Sequence, residues 1–268
     1  MEVLGGFIFV SLGLVVGSFL NVLIYRLPIS ERIGGLSRSK CPACRKILKA
    51  SHLIPVVSFL WLRGKCAFCQ KKISWQYPLV ELATAVLFVL AWCKFSNILF
   101  VDIQVARFIL DLVFLAAMVV VFMIDWREML ILDRVIYPVA GAVALLQIYI
   151  NHNNWSNLIN LGLAALLGFL FYFVQFRMSR GRWVGGGDMK LGALLGLTLG
   201  LSGLAMTLFI SYVGGALIVL ALMLLGRKTL KSAVPMAVFL VPAAIVVILY
   251  GGEIIELYLK ILSYVALH

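Results

Sequence analysis

The sequence predicts an all-α, polytopic membrane protein with about eight transmembrane helices and a small cytosolic loop domain. Three observations predict it. Hydrophobic residues make up 63% of the 268 residues and charged residues 13%, with a mean hydropathy of +1.09, whereas a soluble domain is about half apolar and a quarter charged. Apolar runs long enough to cross the hydrocarbon recur along the whole chain. Within those runs apolar and polar residues do not alternate, which excludes the strands of a transmembrane barrel.

In order, the first run is 3–25, long enough to span by itself and expected to be retained as a helix, not removed as a signal. Runs at 78–94, 106–124, 134–150 and 157–176 follow. The stretch 191–226 is too long for one crossing, and Gly200-Leu201-Ser202-Gly203 offers a turn near its middle, so two helices are expected there. A run at 233–250 comes next. The segment 253–267 begins with Glu253 and Glu256 and is a weaker ninth candidate.

The net charge of +12 does not point to nucleic acid, because the Lys and Arg residues sit in loops between apolar runs. Arg26 to Lys72 carries 11 of the 23 basic residues and one acid, Glu31, and is therefore expected in the cytoplasm. Alternating from there places the N-terminus, 95–105, 151–156 and 200–203 outside. It places 125–133, 177–190 and 227–232 inside, where Arg127, Arg134, Arg177, Arg180, Arg182, Lys190, Arg227, Lys228 and Lys231 cluster. The expected organisation is a first helix over 1–25, a cytosolic loop over 26–77 and a helical core over 78–268.

That loop contains Cys41-x2-Cys44 and Cys66-x2-Cys69. Each pair forms a turn that aims two thiolates at one metal, and two such turns complete a tetrahedral all-thiolate Zn2+ site. A reducing cytosol disfavours the alternative of disulfides. The metal is structural in this reading and supplies folding free energy that so short a loop lacks. His52 is left out of the ligand set, and Cys93, alone near the end of a span, reads as a small buried residue.

Only 11 acids are present, so each one near a span can be weighed. Asp125 ends the run 106–124, and Asp188 follows Gly185-Gly186-Gly187. Singly, Asp125 could be the polar end of a span and Asp188 a helix N-cap. As a pair, topology puts both at the cytoplasmic ends of different helices, where two close carboxylates share a proton. One then serves as base on a water while the protonated partner serves as acid on a scissile carbonyl. Glu128 and Asp133 compete for the first role, Glu81 is a secondary candidate, and Asp102 and Asp111 fall on the outer side. Gly192, Gly196 and Gly200 line one helix face and read as a close-packing stripe. The three His residues are scattered, which argues against a serine or cysteine hydrolase.

On "GSFLNVLIYRLP" (17–28), the paired cysteines, "LRGKCAFCQKKISWQYPLVE" (62–81), "IDWREMLILD" (124–133) and "GGGDMKLGALLG" (185–196), the chain resembles the bacterial type IV prepilin peptidases, members of the GxGD intramembrane aspartyl proteases. The resemblance implies about eight transmembrane helices in the bacterial inner (cytoplasmic) membrane, with the active site toward the cytoplasm. It implies cleavage of the basic leader of type IV prepilins or pseudopilins, and, for many members, N-methylation of the new terminus with S-adenosylmethionine. By position, Asp125 and Asp188 match the catalytic pair, and Cys41, Cys44, Cys66 and Cys69 match the zinc-loop cysteines of the bifunctional members. Leu132 stands where the family usually has Pro, and Lys46 where His is common. The implied partners are prepilin or pseudopilin precursors and the lipid bilayer, with no nucleic acid; oligomeric state is not legible. The alternative is a non-enzymatic membrane protein such as a proton-coupled transporter, whose acids would sit nearer the midplane in inverted repeats.

Overall fold

The computed structural model describes residues 2–30, 39–95, 102–226 and 234–266. Most of the loop 95–105 and the basic residues Arg227, Lys228 and Lys231 lie outside the described residues. The chain divides into two compact units, between Met123 and Ile124. Among the described residues every long element is a helix, and seven helices are long and apolar enough to cross a membrane.

The first unit is built on α1 (Glu2–Arg26), the short α2 (Val57–Trp61), α3 (Gln76–Phe95) and most of α4 (Asp102–Glu128). Helices α1 and α3 pack antiparallel through small residues. A Cβ on Gly5 would strike the Trp92 ring, one on Gly13 would lie 2.5 Å from Ala85 Cα, and one on Gly17 would lie 2.7 Å from Glu81 Cα. Close backbone approach of this kind is how membrane helices associate without a hydrophobic drive between them. One end of the pair is closed by aromatic rings, with Phe9 stacked on Trp92 at 4.9 Å and Phe95 on Phe108 at 4.5 Å. At the other end Asn21 Nδ2 donates to Tyr77 O at 3.0 Å.

Between α1 and α3 lies the cysteine module, made of two matching turns. In the first, Cys41 N–H donates to Lys46 O, Arg45 N–H donates to Cys41 O, and Lys40 bridges Ile47. In the second, Cys66 N–H donates to Lys71 O, Gln70 N–H donates to Cys66 O, and Lys65 bridges Lys72. Arg45 (φ 57°) and Gln70 (φ 60°) take the same left-handed position in each. The repeat is visible in "KCPACRK" and "KCAFCQK".

The second unit holds the end of α4, α5 (Asp133–Ile150), α6 (Trp155–Ser179), α7 (Gly186–Leu224) and α8 (Ala237–Ala266). Helix α6 is capped by Asn154, whose Oδ1 accepts from Asn157 N–H at 3.1 Å. Helix α7 is 39 residues long and contains Gly200 at φ 70°, ψ −176°, a non-helical conformation that favours glycine. Before Gly200, α7 runs antiparallel to α6: Gly192 meets Gly168 and Gly196 meets Ala164. After it, Leu204 faces Gly168, and Tyr212 meets Phe171 and Gln175, so the direction relative to α6 has reversed. The stretch is therefore a helical hairpin with arms 186–199 and 201–224, as the sequence led one to expect, and it divides one of the seven candidate spans among the described residues into two antiparallel segments.

The reversal is sustained by side chains. Gln147 Nε2 donates to Leu197 O (3.3 Å) and Thr198 O (3.1 Å), and Asn160 Oδ1 accepts from Leu201 N–H at 3.2 Å. Asn151 supports Gln147 by donating to its Oε1 at 3.1 Å. Backbone groups freed by a break inside a membrane need such partners because lipid offers none. The second arm packs antiparallel on α8, with Gly203 near Val247 and Gly215 near Phe239. Helix α8 runs unbroken through the exposed Glu253 and Glu256, so the candidate span 253–267 is its continuation and not a separate crossing.

Candidate active site

Asp125 lies three residues from the C-terminal end of α4 and is 5% exposed. Its Oδ2 accepts from the backbone N–H of Ala237 at 3.0 Å, the first residue of α8. A carboxylate against orphan first-turn amides satisfies them and complements the helix dipole. Asp188 is 8% exposed and sits in the first turn of α7. It is not an N-cap, the alternative open to it when taken singly. Gly185 holds that position, and Asp188 Oδ2 reaches back to accept from the Gly185 N–H at 2.8 Å. Each carboxylate is thus fixed through one oxygen by a helix N-terminus, and the two lie within charge–charge reach of each other inside the second unit.

The glycines before Asp188 differ in role. A Cβ on Gly187 would lie 2.5 Å from Ile131 Cβ, so this glycine lets the loop between α4 and α5 press onto the start of α7. Cβ atoms on Gly185 and Gly186 would meet only ordinary contacts, at 3.5 Å from Asp188 Oδ2 and 3.7 Å from Met189 Cε. The competing acids are engaged elsewhere. Asp133 pairs with Lys190, itself over the Tyr137 ring, and Glu128 makes an exposed 3.8 Å pair with Arg127. In the first unit Asp111 lies within charge range of Lys94 and Arg107. Glu81 is buried and accepts from Val56 N–H at 2.7 Å.

Two phenols escaped the sequence reading. Tyr172 of α6 is fully buried, its hydroxyl has no hydrogen-bond partner among the described residues, and Asp188 is within its charge range. Tyr212, brought back by the hairpin, donates to Gln175 Oε1 at 3.0 Å and is likewise within range of Asp188. Gly192 makes room for Tyr172: a Cβ there would lie 2.6 Å from its ring. Of the expected glycine stripe, Gly192 and Gly196 therefore serve close packing, while Gly200 serves the reversal. The only sequence signal for Tyr172 was a phenol inside an apolar run.

In the first unit the Sγ atoms of Cys41, Cys44, Cys66 and Cys69 all lie within 4.8 Å of one another, with Cys41 and Cys69 at 3.9 Å. Four thiolates about 2.3 Å from one tetrahedral ion are about 3.8 Å apart, so the donor set fits a metal of that kind. The Cys66 thiol is lowered to about 7, first by the N–H groups of Cys69 and Phe68. For Cys69 the Lys71 N–H favours the thiolate most, yet burial and the surrounding thiols outweigh it and push the group up to about 11. His52 is not in the cluster; its ring packs on Phe68 at 5.6 Å.

An all-helical polytopic membrane protein with two buried, helix-anchored carboxylates and a separate four-thiolate module is the class that fold and site define. Residues 11–95 match the bacterial peptidase A24 N-terminal domain, and residues 112–220 match the type IV leader peptidase family. The chain is 36% identical over 248 residues to the prepilin leader peptidase/N-methyltransferase of Bacillus subtilis (strain 168), covering 92% of this chain and 95% of that one. The protein of the same name from Pseudomonas putida is 31% identical over 280 residues, covering 94% and 93%. That from Neisseria gonorrhoeae is 34% identical over 229 residues, covering 75% and 76%. No solved structure matches the chain. The chain belongs to the type IV leader peptidase family.

Proposed function

We propose that this protein removes the basic leader from type IV prepilins or pseudopilins and then N-methylates the new terminus, with Asp125 and Asp188 as the catalytic pair. The observation that carries the assignment of residues is that both acids are buried and held by helix N-termini within charge reach of each other. In this reading the pair shares a proton. The ionised member takes a proton from water, whose oxygen attacks the scissile carbonyl carbon, while the other gives its proton to the carbonyl oxygen. Collapse of the tetrahedral intermediate breaks the C–N bond, and the leaving amine takes up a proton. In this reading the exposed Gly185, with no side chain beside Asp188, lets the backbone of an extended peptide approach.

In the methyl transfer S-adenosylmethionine supplies the methyl group to the new amine, as the bifunctional names of the relatives imply. The cysteine module holds Zn2+ through Cys41, Cys44, Cys66 and Cys69 and folds around it. The protein spans the bacterial inner membrane with its N-terminus outside and the dyad toward the cytoplasm, in keeping with the basic loops.

Purified protein in detergent, incubated with a prepilin with and without S-adenosylmethionine, tests this reading by mass spectrometry. A shortened pilin, heavier by one methyl when the donor is present, is expected. Asp125→Asn and Asp188→Asn should each reduce cleavage by about 100- to 10,000-fold or more with the protein still inserted. Full activity in either variant would exclude the dyad.

A further inference from the structure

The antiparallel packing of α1 on α3 sets a depth scale for the first unit. Glu81 stands level with Gly17, nine residues inside Arg26, which is about 13 Å along the helix axis. Glu81 nevertheless binds the backbone of the loop: its Oε2 accepts the Val56 N–H at 2.7 Å. A groove of about 290 Å³ lined by Val15, Ser18, Phe19 and Val22 of α1 also borders Leu53 and Pro55. The segment around Val56 thus descends beside the apolar part of a membrane-spanning helix.

Backbone at that depth has to be satisfied from within the protein, and several of this segment's amides have partners there. Pro55 has no N–H. Val56 donates to Glu81, Val57 to Pro55 O, Ser58 to Ile54 O, Leu60 to Val56 O and Leu62 to Ser58 O. The bond from Val57 to Pro55 closes a γ-turn of the rare positive-φ form, with Val56 at φ 62°, ψ −49°. For a β-branched residue this is a strained conformation. The Glu81 carboxylate fixes its amide in place.

The outward face is apolar and uncovered. Leu53, Ile54, Val57, Leu60 and Trp61 are all exposed, Trp61 by 77%. Beside them Trp75, 68% exposed, shares a second groove with Leu60, Arg63, Lys65 and Lys72. Aromatic and basic side chains at the rim of an apolar stripe match the headgroup level of an anionic leaflet.

We propose that residues 53–61 form a re-entrant anchor in the leaflet on the side of the cysteine module, with the stripe against acyl chains and Arg63, Lys65 and Lys72 on anionic lipid phosphates. The occupant is lipid: the stripe is continuous with the bilayer-facing surface of α1, and the rim charge is cationic. The anchor does not depend on the peptidase assignment.

The test places the full-length protein in nanodiscs of phosphatidylcholine and phosphatidylglycerol, with and without bromine in the middle of the acyl chains. Subtracting the emission of a Trp61→Tyr variant from that of the wild type isolates Trp61, because the remaining tryptophans cancel. A side chain about 5–10 Å below the headgroups should lose about half its emission to the brominated lipid and resist aqueous acrylamide. An Arg63→Gln/Lys65→Gln/Lys72→Gln variant should weaken the bromine quenching. Emission open to acrylamide and unaffected by bromine would overturn the proposal. So would shielding from both quenchers, since that would place a protein surface, either a second copy or another chain, over the stripe.

Discussion

Replacing Gly196 by Ala puts a methyl group into a close backbone contact between two helices of the second unit. The added Cβ would lie 2.2 Å from Ala164 O, 2.3 Å from its carbonyl carbon and 2.6 Å from Ala165 N, all backbone atoms that no rotamer change can move. Helix α6 and the first arm of α7 must part by more than an ångström before the contact becomes ordinary. Overpacking of this kind costs about 1–3 kcal/mol, and Ala returns roughly 0.5–1 kcal/mol of helix propensity. The net loss is about 0–2.5 kcal/mol, or up to about 10 °C in Tm at 2–4 °C per kcal/mol. Gly162 and Gly214, on α6 and on the second arm, meet nothing within 4 Å. Gly→Ala at either should be neutral or stabilising by up to about 1 kcal/mol. Thermal unfolding of the three variants in one detergent checks the sign. A Gly196→Ala protein as stable as Gly214→Ala would refute the close-packing account of α6 and α7.

Tyr172→Phe removes a hydroxyl with no hydrogen-bond partner among the described residues, so Tm should hold. If the phenol serves Asp188, kcat for leader cleavage should fall about tenfold or more, and an unchanged kcat would remove Tyr172 from the site. Gln147→Leu leaves the carbonyls of Leu197 and Thr198 without their donor. It should lower stability by about 1–3 kcal/mol, read as a drop in Tm, and an unaltered Tm would show that the break at Gly200 does not need it. Cys66→Ser should lower bound zinc, measured by elemental analysis. Without metal, Cys69, pushed up to about 11, keeps its proton at neutral pH, so zinc uptake releases it. Affinity should therefore rise about tenfold per pH unit for each such thiol and fall more steeply below about 7, where Cys66 is also protonated. Chelator competition across this range checks it, and a flat profile would refute it.

The spans were legible because length and hydropathy alone decide them, and the boundaries of α3, α5 and α6 fall within a few residues of the apolar runs. The cysteine module was legible because both cysteine turns are local. Asp125 and Asp188 stood out because a carboxylate is rare in such surroundings. Their anchoring was not legible: Asp125 is held by Ala237, which is 112 positions away. Tyr212 reaches Asp188 only because the chain doubles back at Gly200, so no local pattern announces it. Val56 was invisible for a different reason. A β-branched residue in a strained turn contradicts its own propensity, and only a distant carboxylate explains it.

The hairpin also has a length. Its first arm, residues 186 to 199, contains fourteen residues and rises about 21 Å, against about 30 Å of hydrocarbon. With the Gly200 reversal at one face of the bilayer, the arm stops about 9 Å short of the other. Hydrophobic mismatch of this size is relieved by local thinning of the lipid or by water entering from the near face. On the proposed assignment of Asp188, a depression of this kind would let a peptide bond drawn from a membrane-spanning stem meet water without leaving the lipid plane.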